Sequence, residues 1–420
     1  MISSKTMCNL RVLTLVFFSF VVPSTGSKLL FFLVDGFRWD YFDLPGVQTD
    51  GFRRLFESGS RAEWLVPDFP TNSFPNYKTL ETGLHVEQHG FVGNYMWDEA
   101  QDRHFELPLV RASSLHLDWW EAAQPFYITA QLQGIRAGLF NVRACNLSIN
   151  GVAPSYCDEF LLDRKSPELR ILLDTAMESL LNDTLDVAYV YHMPVDTAGH
   201  YHGPNSRELK AEVDHVNAFV TEILDKLEAH PKPDVDLIIV SDHGMASVDQ
   251  THKINISEAL DMTDVRTIIE AGTQVYIWPH QGKEDEVYRR LHGFHEHLHV
   301  YRKREILDRW HFRKHALVPP IFLTATKGWF IIHPRAGEVY GEQLLTSPWV
   351  GNHGFDNADV DMRAIFLAFG PHFKKNYLSP PFKNTEVYQL LCHVAGIRPR
   401  PHNGTWSEVS GMLINPHTEL

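Results

Sequence analysis

Four short apolar runs along the chain each end in acidic, histidine or glycine residues. The runs cover residues 29–34, 187–191, 237–241 and 364–369. Strands that are apolar almost throughout, without alternation, are typical of a parallel sheet buried on both faces by helices. Between the second and third runs, residues 206–228 place apolar side chains at helical spacing. The pattern predicts an α/β fold with a mostly parallel central sheet flanked by helices.

One stretch of the chain has a different character. From about residue 255 to residue 350 the sequence is rich in histidine, arginine and aromatic residues and has fewer long apolar runs. Sequence typical of a core returns with Asn352-His353-Gly354 and the fourth apolar run. We therefore expect one main domain over residues 27–420, with an inserted cap segment at approximately 255–350.

The N-terminus has the pattern of a secretory signal peptide. Lys5 and Arg11 give a weakly positive start, residues 12–22 are mostly apolar, and small residues follow at 24–26. An apolar run of about 11 residues is too short to cross a bilayer as a helix. We expect residues 1–26 to be removed and the protein to be secreted or extracellular, with association with the cell surface left open.

Cysteines and glycosylation motifs agree with this compartment. Cys145 and Cys157 are close enough to close a short loop, and we expect a disulfide between them in an oxidising environment. The apolar neighbours of Cys392 favour a buried free thiol. Asn-x-Ser/Thr motifs predict glycosylation at four positions: Asn146, Asn182, Asn255 and Asn403.

Composition and charge exclude one class of partner. The chain contains 38 basic and 52 acidic residues, a formal net charge of -14. Since general nucleic-acid binding depends on Lys and Arg side chains that neutralise phosphates, we expect no nucleic-acid partner. A hydrophobic content of 44% is that of a folded chain rather than a disordered one. The oligomeric state is left open.

Acidic and histidine residues follow three of the predicted strands. They are Asp35, then Asp196 and His200, then Asp242 and His243. In open α/β sheets the carboxyl ends of the strands form the ligand-binding edge, so these side chains are expected to meet there. With a later histidine such as His353 the set holds six ligands of the type that suits Zn²⁺, too many for one tetrahedral ion and enough for two. A single histidine could instead be a surface residue, and a single aspartate a helix cap.

A hydroxyl nucleophile is available in residues 69–77, a segment dense in turn-forming residues. It contains Thr71 and Ser73 and precedes a helix predicted from about Tyr77 to Thr82. A hydroxyl near a helix start could lie on a metal ion while the helix N-terminus helps to hold phosphate. The alternative is that such a residue only caps the helix.

Several motifs resemble those of a known family. They are Phe69-Pro70 to Asn76, Thr82-Gly83-Leu84, His89-Gly90, Ser241 to Met245 and Asn352 to Asp356. In order and spacing they resemble the ectonucleotide pyrophosphatase/phosphodiesterase family of the alkaline phosphatase superfamily. The resemblance covers nearly all of the mature chain. It implies an alkaline-phosphatase-like fold, a phosphodiesterase catalytic domain over residues 27–420, and the activity of a phosphoric diester hydrolase.

Within that family the chain resembles the choline-specific branch. Residues 93–98 and the serine directly before Phe-Pro-Asn resemble the glycerophosphocholine cholinephosphodiesterases. Residues 128–138 and 298–301 resemble the alkaline sphingomyelinases. The resemblance implies hydrolysis of glycerophosphocholine, lysophosphatidylcholine or sphingomyelin with release of phosphocholine. Peripheral contact with a membrane or lipid micelle is left open.

The resemblance also implies roles for individual residues. Ser73 is the nucleophile, and the reaction passes through a phospho-serine intermediate. Asn94 donates a hydrogen bond to a phosphate oxygen, where negative charge develops. Two Zn²⁺ per chain are implied, with ligand sets Asp196, His200 and His353 for one ion, and Asp35, Asp242, His243 and the Ser73 hydroxyl for the other.

A choline headgroup requires an aromatic cage around its quaternary ammonium. The resemblance favours Tyr156 and Tyr191 for this cage, and Tyr95 and Trp97 are further candidates. An aromatic clamp for a nucleotide base would use the same residue types. The residue types alone therefore leave choline and nucleotide substrates open.

Two alternatives to the choline hydrolase remain. A nucleotide pyrophosphatase/phosphodiesterase of the same fold is disfavoured by Ser73, since nucleotide-cleaving members usually have threonine there, and by residues 95–97. A catalytically silent secreted binding protein is disfavoured because binding alone would not require both a complete ligand set and a nucleophile.

Overall fold

A sheet of eight strands, counted over the residues that the computed structural model describes, forms the centre of the fold. Those residues are 27–107, 112–231, 234–335 and 349–415. The predicted signal peptide lies outside them, as do residues 336–348 of the predicted insert.

The strands are short, and most are buried. In chain order they are β1 (Lys28–Val34), β2 (Ser60–Ala62), β3 (Leu65–Val66), β4 (Met96–Asp98), β5 (Arg103–Phe105), β6 (Ala137–Val142), β7 (Tyr156–Glu159), β8 (Val187–His192), β9 (Val235–Val240), β10 (Ala246–Ser247), β11 (Lys253–Asn255), β12 (Val265–Ile269), β13 (Gln274–Pro279), β14 (Leu298–Arg302), β15 (Ile321–Ala325), β16 (Phe330–Ile332), β17 (Gly351–Asn352), β18 (Phe366–Phe369), β19 (Tyr377–Ser379) and β20 (Phe382–Lys383).

The α-helices alternate with these strands along much of the chain. They are α1 (Asp50–Ser58), α2 (Ser73–Thr82), α3 (Val86–His89), α4 (Leu117–Glu121), α5 (Phe126–Leu132), α6 (Ser166–Leu181), α7 (Pro194–His202), α8 (Arg207–Ala229), α9 (Glu284–Leu291), α10 (Val387–Val394) and α11 (Trp406–Val409). Short 3-10 helices lie at Tyr41–Asp43, Ala112–Leu115, Ile256–Glu258, Met262–Asp264, Lys303–Glu305, Asp308–Trp310, Val360–Met362, Asn384–Glu386 and Ser410–Met412.

The central sheet is mostly parallel, as predicted. Its strand order is β19-β2-β18-β9-β1-β8-β6-β7. Strands β9, β1, β8, β6 and β7 run parallel to one another, whereas β18 is antiparallel to both β9 and β2. The four predicted apolar runs therefore become β1, β8, β9 and β18, which are close together in the sheet.

Helices cover both faces of the sheet, which explains why its strands are apolar without alternation. In β1, Leu29, Phe31 and Leu33 pack on one side with side chains of α2, α5 and α10. The intervening residues of β1 pack on the other side with α1, α6, α7 and α8. The predicted helix at 206–228 is α8, and the Ser206 hydroxyl caps it by accepting a hydrogen bond from the Leu209 amide, 3.0 Å away.

A second sheet lies within the predicted insert. Strands β12, β13, β15 and β14 form an antiparallel sheet in that order. One of its faces packs with α9 in a separate core that includes Ile277 and Val287. From the other face, Tyr276 and Phe322 join the core beneath the main sheet. The insert is thus anchored to the main sheet by buried aromatic side chains.

Features expected of a secreted protein have clear structural positions. Cys145 and Cys157 form the predicted disulfide, and Cys392 is a buried free thiol. Of the predicted glycosylation sites, Asn146 and Asn182 are exposed. Asn255 and Asn403 are half-buried, and their side-chain oxygens accept hydrogen bonds from the Ser257 and His85 amides. None of the described helices is long and apolar enough to cross a membrane.

The core arrangement predicts how two isoleucines differ in their contribution to stability. Ile239 is fully buried in the central strand β9, whereas Ile171 on α6 is 66% exposed. We expect Ile239→Ala to lower the free energy of unfolding by roughly 2–5 kcal/mol, because it leaves a cavity in a packed core. The matched variant Ile171→Ala should change it by less than about 0.5 kcal/mol. Urea denaturation measures both, and equal effects of the two changes would contradict this packing.

Candidate metal centre and nucleophile

The carboxyl ends of β1, β8 and β9 bring the predicted ligands together. Asp35 directly follows β1, and Asp242 and His243 follow β9. Asp196 and His200 lie four residues apart on α7, which begins just after β8. The remaining ligand, His353, follows β17 and is also buried. All six predicted ligands therefore converge at one edge of the sheet.

Distances within the cluster define two neighbouring groups of ligand atoms. In the first, Asp196 Oδ1 lies 3.4 Å from His200 Nε2 and 3.6 Å from His353 Nε2. In the second, His243 Nε2 lies 3.0 Å from Asp242 Oδ2 and 3.5 Å from Asp35 Oδ1. The rings of His243 and His353 stack with centroids 3.6 Å apart. The groups are thus adjacent.

The carboxylate oxygens that face the cluster are the strongest indication of a metal site. Oδ1 of Asp35, Oδ1 of Asp196 and Oδ2 of Asp242 are all buried and have no hydrogen-bond partner. A buried anionic oxygen without a partner is costly unless a cation or donor compensates it. Because imidazole nitrogens surround the same space, the donor set fits zinc or a similar divalent metal.

The histidines are oriented so that their Nε2 atoms face the cluster. Nδ1 of His200 lies 3.0 Å from the Gly351 carbonyl, and Nδ1 of His353 lies 2.9 Å from the Thr71 carbonyl. Nδ1 of His243 is 2.9 Å from the Gly244 carbonyl. A carbonyl can only accept, so each Nδ1 carries the proton and each Nε2 is left as a ligand. Hydrogen bonds of this kind fix metal-binding histidines in other proteins.

Excess negative charge in the cluster raises the pKa values of Asp35 and His243. Burial raises the pKa of the Asp35 carboxyl well above its usual range, and the nearby Asp242 and Asp196 carboxylates raise it further. Burial alone would lower the pKa of His243, but the Asp242 and Asp35 carboxylates raise it to about 10. Protons are therefore held where cations would otherwise bind, and metal binding would displace them.

The structure distinguishes the two candidate hydroxyls. Thr71 donates to the Phe355 carbonyl at 2.8 Å and accepts from the Gly354 amide at 3.0 Å, so its hydroxyl is fully used. Ser73 Oγ instead lies 3.3 Å from His243 Nε2, at the edge of the cluster. Ser73 begins α2, four residues earlier than predicted, and Asn72 holds the cap position. The Ser73 hydroxyl thus lies at the edge of the cluster and does not cap the helix.

Tyr77 is a residue of the site that the sequence motifs did not identify. Its phenol donates to Asp35 Oδ2, as does the phenol of Tyr191, and the two phenol oxygens are 2.8 Å apart. These bonds hold one oxygen of Asp35 and leave the other to face the cluster. The spacing of Ser73 and Tyr77, four residues apart on one helix, is the signal that could have indicated their proximity.

Asn94 lies in the cleft, beside the start of α2. Its Oδ1 accepts a hydrogen bond from the Phe74 amide at 2.9 Å, which fixes the side chain beside Ser73. With Oδ1 engaged, the Nδ2 amino group remains as a donor. Asn94, Ser73, Asp35 and Asp196 all line one cleft of about 560 Å³.

The four aromatic residues considered for a choline cage do not come together. Tyr95 lines the cleft, and its hydroxyl donates to the Leu107 carbonyl at 3.2 Å. Tyr191 is buried beneath Asp35. Trp97 is 1% exposed, and Tyr156 lies on the edge strand β7 and packs on Phe140. Neither Trp97 nor Tyr156 lines the cleft.

Comparisons with known proteins place these features in a family. The sequence model of a protein family described as type I phosphodiesterase/nucleotide pyrophosphatase matches residues 29–356. This range includes all six metal-ligand candidates and Ser73. Human ectonucleotide pyrophosphatase/phosphodiesterase family member 5 is 31% identical over 94% of this chain and 80% of the relative. A Xenopus laevis protein named bis(5'-adenosyl)-triphosphatase is 31% identical over 93% of this chain and 83% of the relative.

A solved structure has the same fold. Murine family member 5, as an inactive variant in complex with AMP, superposes with a TM-score of 0.83 and 32% identity. The match covers 92% of this chain and all of the murine chain. The α/β architecture of this chain is therefore shared with an experimentally determined relative. The chain belongs to the type I phosphodiesterase/nucleotide pyrophosphatase family, whose members hydrolyse phosphodiester bonds in a metal-dependent manner.

Proposed function

We propose that this protein hydrolyses phosphodiester or phosphoanhydride bonds of nucleotides, with Ser73 as the nucleophile. The observation that carries the proposal is the position of the Ser73 hydroxyl, 3.3 Å from His243 Nε2, beside three buried carboxylates whose inward oxygens have no partner. A binding protein would have no need for a hydroxyl at such a place.

The residues that would hold two metal ions follow from the two groups of ligand atoms. One set is Asp196, His200 and His353, and the other is Asp35, Asp242 and His243 with the Ser73 hydroxyl. When bound, two such ions supply the positive charge that favours an ionised hydroxyl and stabilises the attacking and leaving oxygens.

The chain's own groups position the substrate around this centre. The Ser73 oxygen attacks phosphorus, the leaving alcohol or phosphate departs with the electrons of the broken bond, and water then cleaves the phospho-serine. Asn94 donates to a non-bridging phosphate oxygen as its negative charge increases. The macrodipole of α2, which is positive at the Ser73 end of the helix, adds to this stabilisation.

Nucleotides are the substrate class that relatives and cleft together favour. One relative is named as a bis(5'-adenosyl)-triphosphatase, and the murine structure holds AMP. The rings of Tyr95 and Trp349 line the cleft, are half-buried, and offer faces on which a base could stack. Arg143 and Lys253 also line it and would complement phosphate charge. This proposal replaces the choline substrate that the sequence motifs implied.

A choline phosphodiester is the second candidate, and one contact favours it. Glu270 Oε1 accepts a hydrogen bond from the Tyr95 amide at 2.9 Å, and both residues line the cleft. An aromatic ring beside a carboxylate is the combination that attracts a quaternary ammonium. A choline ester therefore belongs among the substrates to be assayed.

Metal binding predicts a first measurable difference between two aspartates. We expect the wild-type protein to bind two zinc ions and to melt at a higher temperature with zinc, because the ions compensate buried carboxylates. Asp196→Asn should lower the zinc content, since it removes a charged ligand. Asp308→Asn, at a side chain that is 82% exposed and paired with Arg313, is the control. Elemental analysis and thermal melting provide the measurements. The wild-type protein treated with a chelator serves as the zinc-free reference. Equal zinc content in this reference, the untreated wild type and Asp196→Asn would contradict the site.

Substrate turnover is the second prediction. The p-nitrophenyl ester of thymidine monophosphate should be cleaved faster than p-nitrophenyl phosphorylcholine, as judged by kcat/KM. Ser73→Ala should reduce turnover at least about a thousandfold while retaining zinc, because the nucleophile is lost but most ligands remain. Ser247→Ala, at an exposed serine, should match the wild type. Preference for the choline ester would favour the second candidate, and no turnover of either ester would favour the silent binding protein.

A further inference from the structure

The side chain of Arg143 lies in a box of aromatic rings beside the nucleophile. Arg143 directly follows β6, and its guanidinium carbon is 3.6 Å from the ring centroid of Phe160. The ring centroids of Tyr191 and Phe74 are 5.2 Å and 5.8 Å away. All three distances are within the range of cation–π attraction. We call these three rings and the space between them the aromatic box.

The carboxylate of Asp35 attracts the positive charge of Arg143 only from beyond salt-bridge distance. No acidic side chain in the described parts of the chain lies within salt-bridge distance of it. The guanidinium Nη2 is 3.7 Å from the Met193 sulfur, and the buried Nε has no hydrogen-bond partner. Arg143 also lines the cleft that contains Ser73. Arg143 therefore brings a positive charge to the wall of this cleft and retains one donor without a partner.

Two walls of the aromatic box, Phe74 and Tyr191, adjoin the reaction centre, and of the three rings only Phe74 lines the cleft. Phe74 directly follows Ser73 and packs at the start of the same helix. The Tyr191 hydroxyl donates a hydrogen bond to Asp35, one of the proposed metal ligands. The guanidinium is thus one side chain away from both the nucleophile and the metal cluster. An anionic group next to the bond being cleaved would lie within its reach.

We propose that Arg143 determines substrate specificity by filling the aromatic box with the protein's own cation. The guanidinium binds a second anionic group of the substrate and prevents a quaternary ammonium from entering the box. This inference rests on the proposed function, since it specifies which phosphodiesters that centre accepts.

For electrostatic reasons the aromatic box cannot hold both the Arg143 guanidinium and a quaternary ammonium group. Tyrosine and phenylalanine faces that attract an ammonium group attract a guanidinium in the same way. Two cations in one partly buried box would repel each other strongly, because the local dielectric is low. A phosphate, in contrast, can accept paired hydrogen bonds from the guanidinium fork. The box therefore favours substrates with additional negative charge.

Three substrates and two substitutions test this role. The substrates are diadenosine triphosphate, which has additional phosphate charge, the nitrophenyl ester of thymidine monophosphate, which has a single phosphodiester charge, and p-nitrophenyl phosphorylcholine, which carries a cation. Arg143→Met removes the charge but keeps most of the volume, whereas Arg143→Ala also opens the box. Arg61→Met is the matched control, because Arg61 lies 4.4 Å from the Phe56 ring centroid and does not line the cleft.

The expected results distinguish the effect of removing the Arg143 charge from the effect of opening space in the aromatic box. Both Arg143 variants should lose roughly tenfold to hundredfold in kcat/KM for diadenosine triphosphate relative to the thymidine ester, as expected for one charged hydrogen-bonding group. Arg143→Ala should gain at least about tenfold in kcat/KM for the choline ester, and Arg143→Met should gain less. Equal changes on all three substrates, or none, would overturn the proposal. Melting temperatures near that of the wild type show that each variant is folded.

A binding measurement keeps this inference separate from the proposed function. If the wild type cleaves no nucleotide, the proposed function fails, and calorimetric titration of the zinc-loaded protein with phosphocholine still tests the box. Tighter binding of phosphocholine to Arg143→Ala than to wild type and Arg143→Met would support the inference. Equal binding to all three proteins would overturn it.

Discussion

Uncompensated negative charge at the carboxyl edge of the sheet is the constraint on which the site depends. The side chains of Asp35, Asp196 and Asp242 are buried, and each has an inward oxygen without a hydrogen-bond partner. Such a group is costly in an apolar interior unless a cation compensates it. The orientation of each imidazole, with Nδ1 on a carbonyl and Nε2 facing inward, is consistent with the same requirement. The Ser73 hydroxyl lies beside this charge, so a cation held there would also act on that hydroxyl.

A chain of contacts links the negatively charged cluster to the positively charged Arg143. Asp35 shares one oxygen with the phenols of Tyr77 and Tyr191, and Tyr191 in turn forms a wall of the box that holds Arg143. Negative ligands, an aromatic ring and a positive side chain are therefore in contact in that order. A substrate with more than one phosphate matches this order, since one phosphate would lie on the cluster and another near the guanidinium.

Much of this arrangement could be predicted from the sequence, because parallel strands bring their carboxyl ends to a single edge. Asp35, Asp196 and Asp242 all followed predicted strands, and each lies in the cluster. His353 follows only the short strand β17, so its role came from motif resemblance. The start of α2 at Ser73 was missed because the turn-forming residues before Tyr77 concealed the helix. The aromatic residues were misleading for a different reason: ring types are visible in a sequence, whereas the direction in which each ring faces depends on packing. No motif or spacing in the sequence indicated that Arg143 would lie at the site.

The stereochemical course at phosphorus tests the central claim, that Ser73 beside the buried carboxylates is the nucleophile, most directly. One diastereomer of the phosphorothioate analogue of the thymidine nitrophenyl ester would be hydrolysed in isotopically labelled water. Attack by Ser73 followed by attack of water inverts the configuration twice. We therefore expect overall retention of configuration. Overall inversion would show that water attacks the substrate directly, and would contradict the role of Ser73 as the nucleophile.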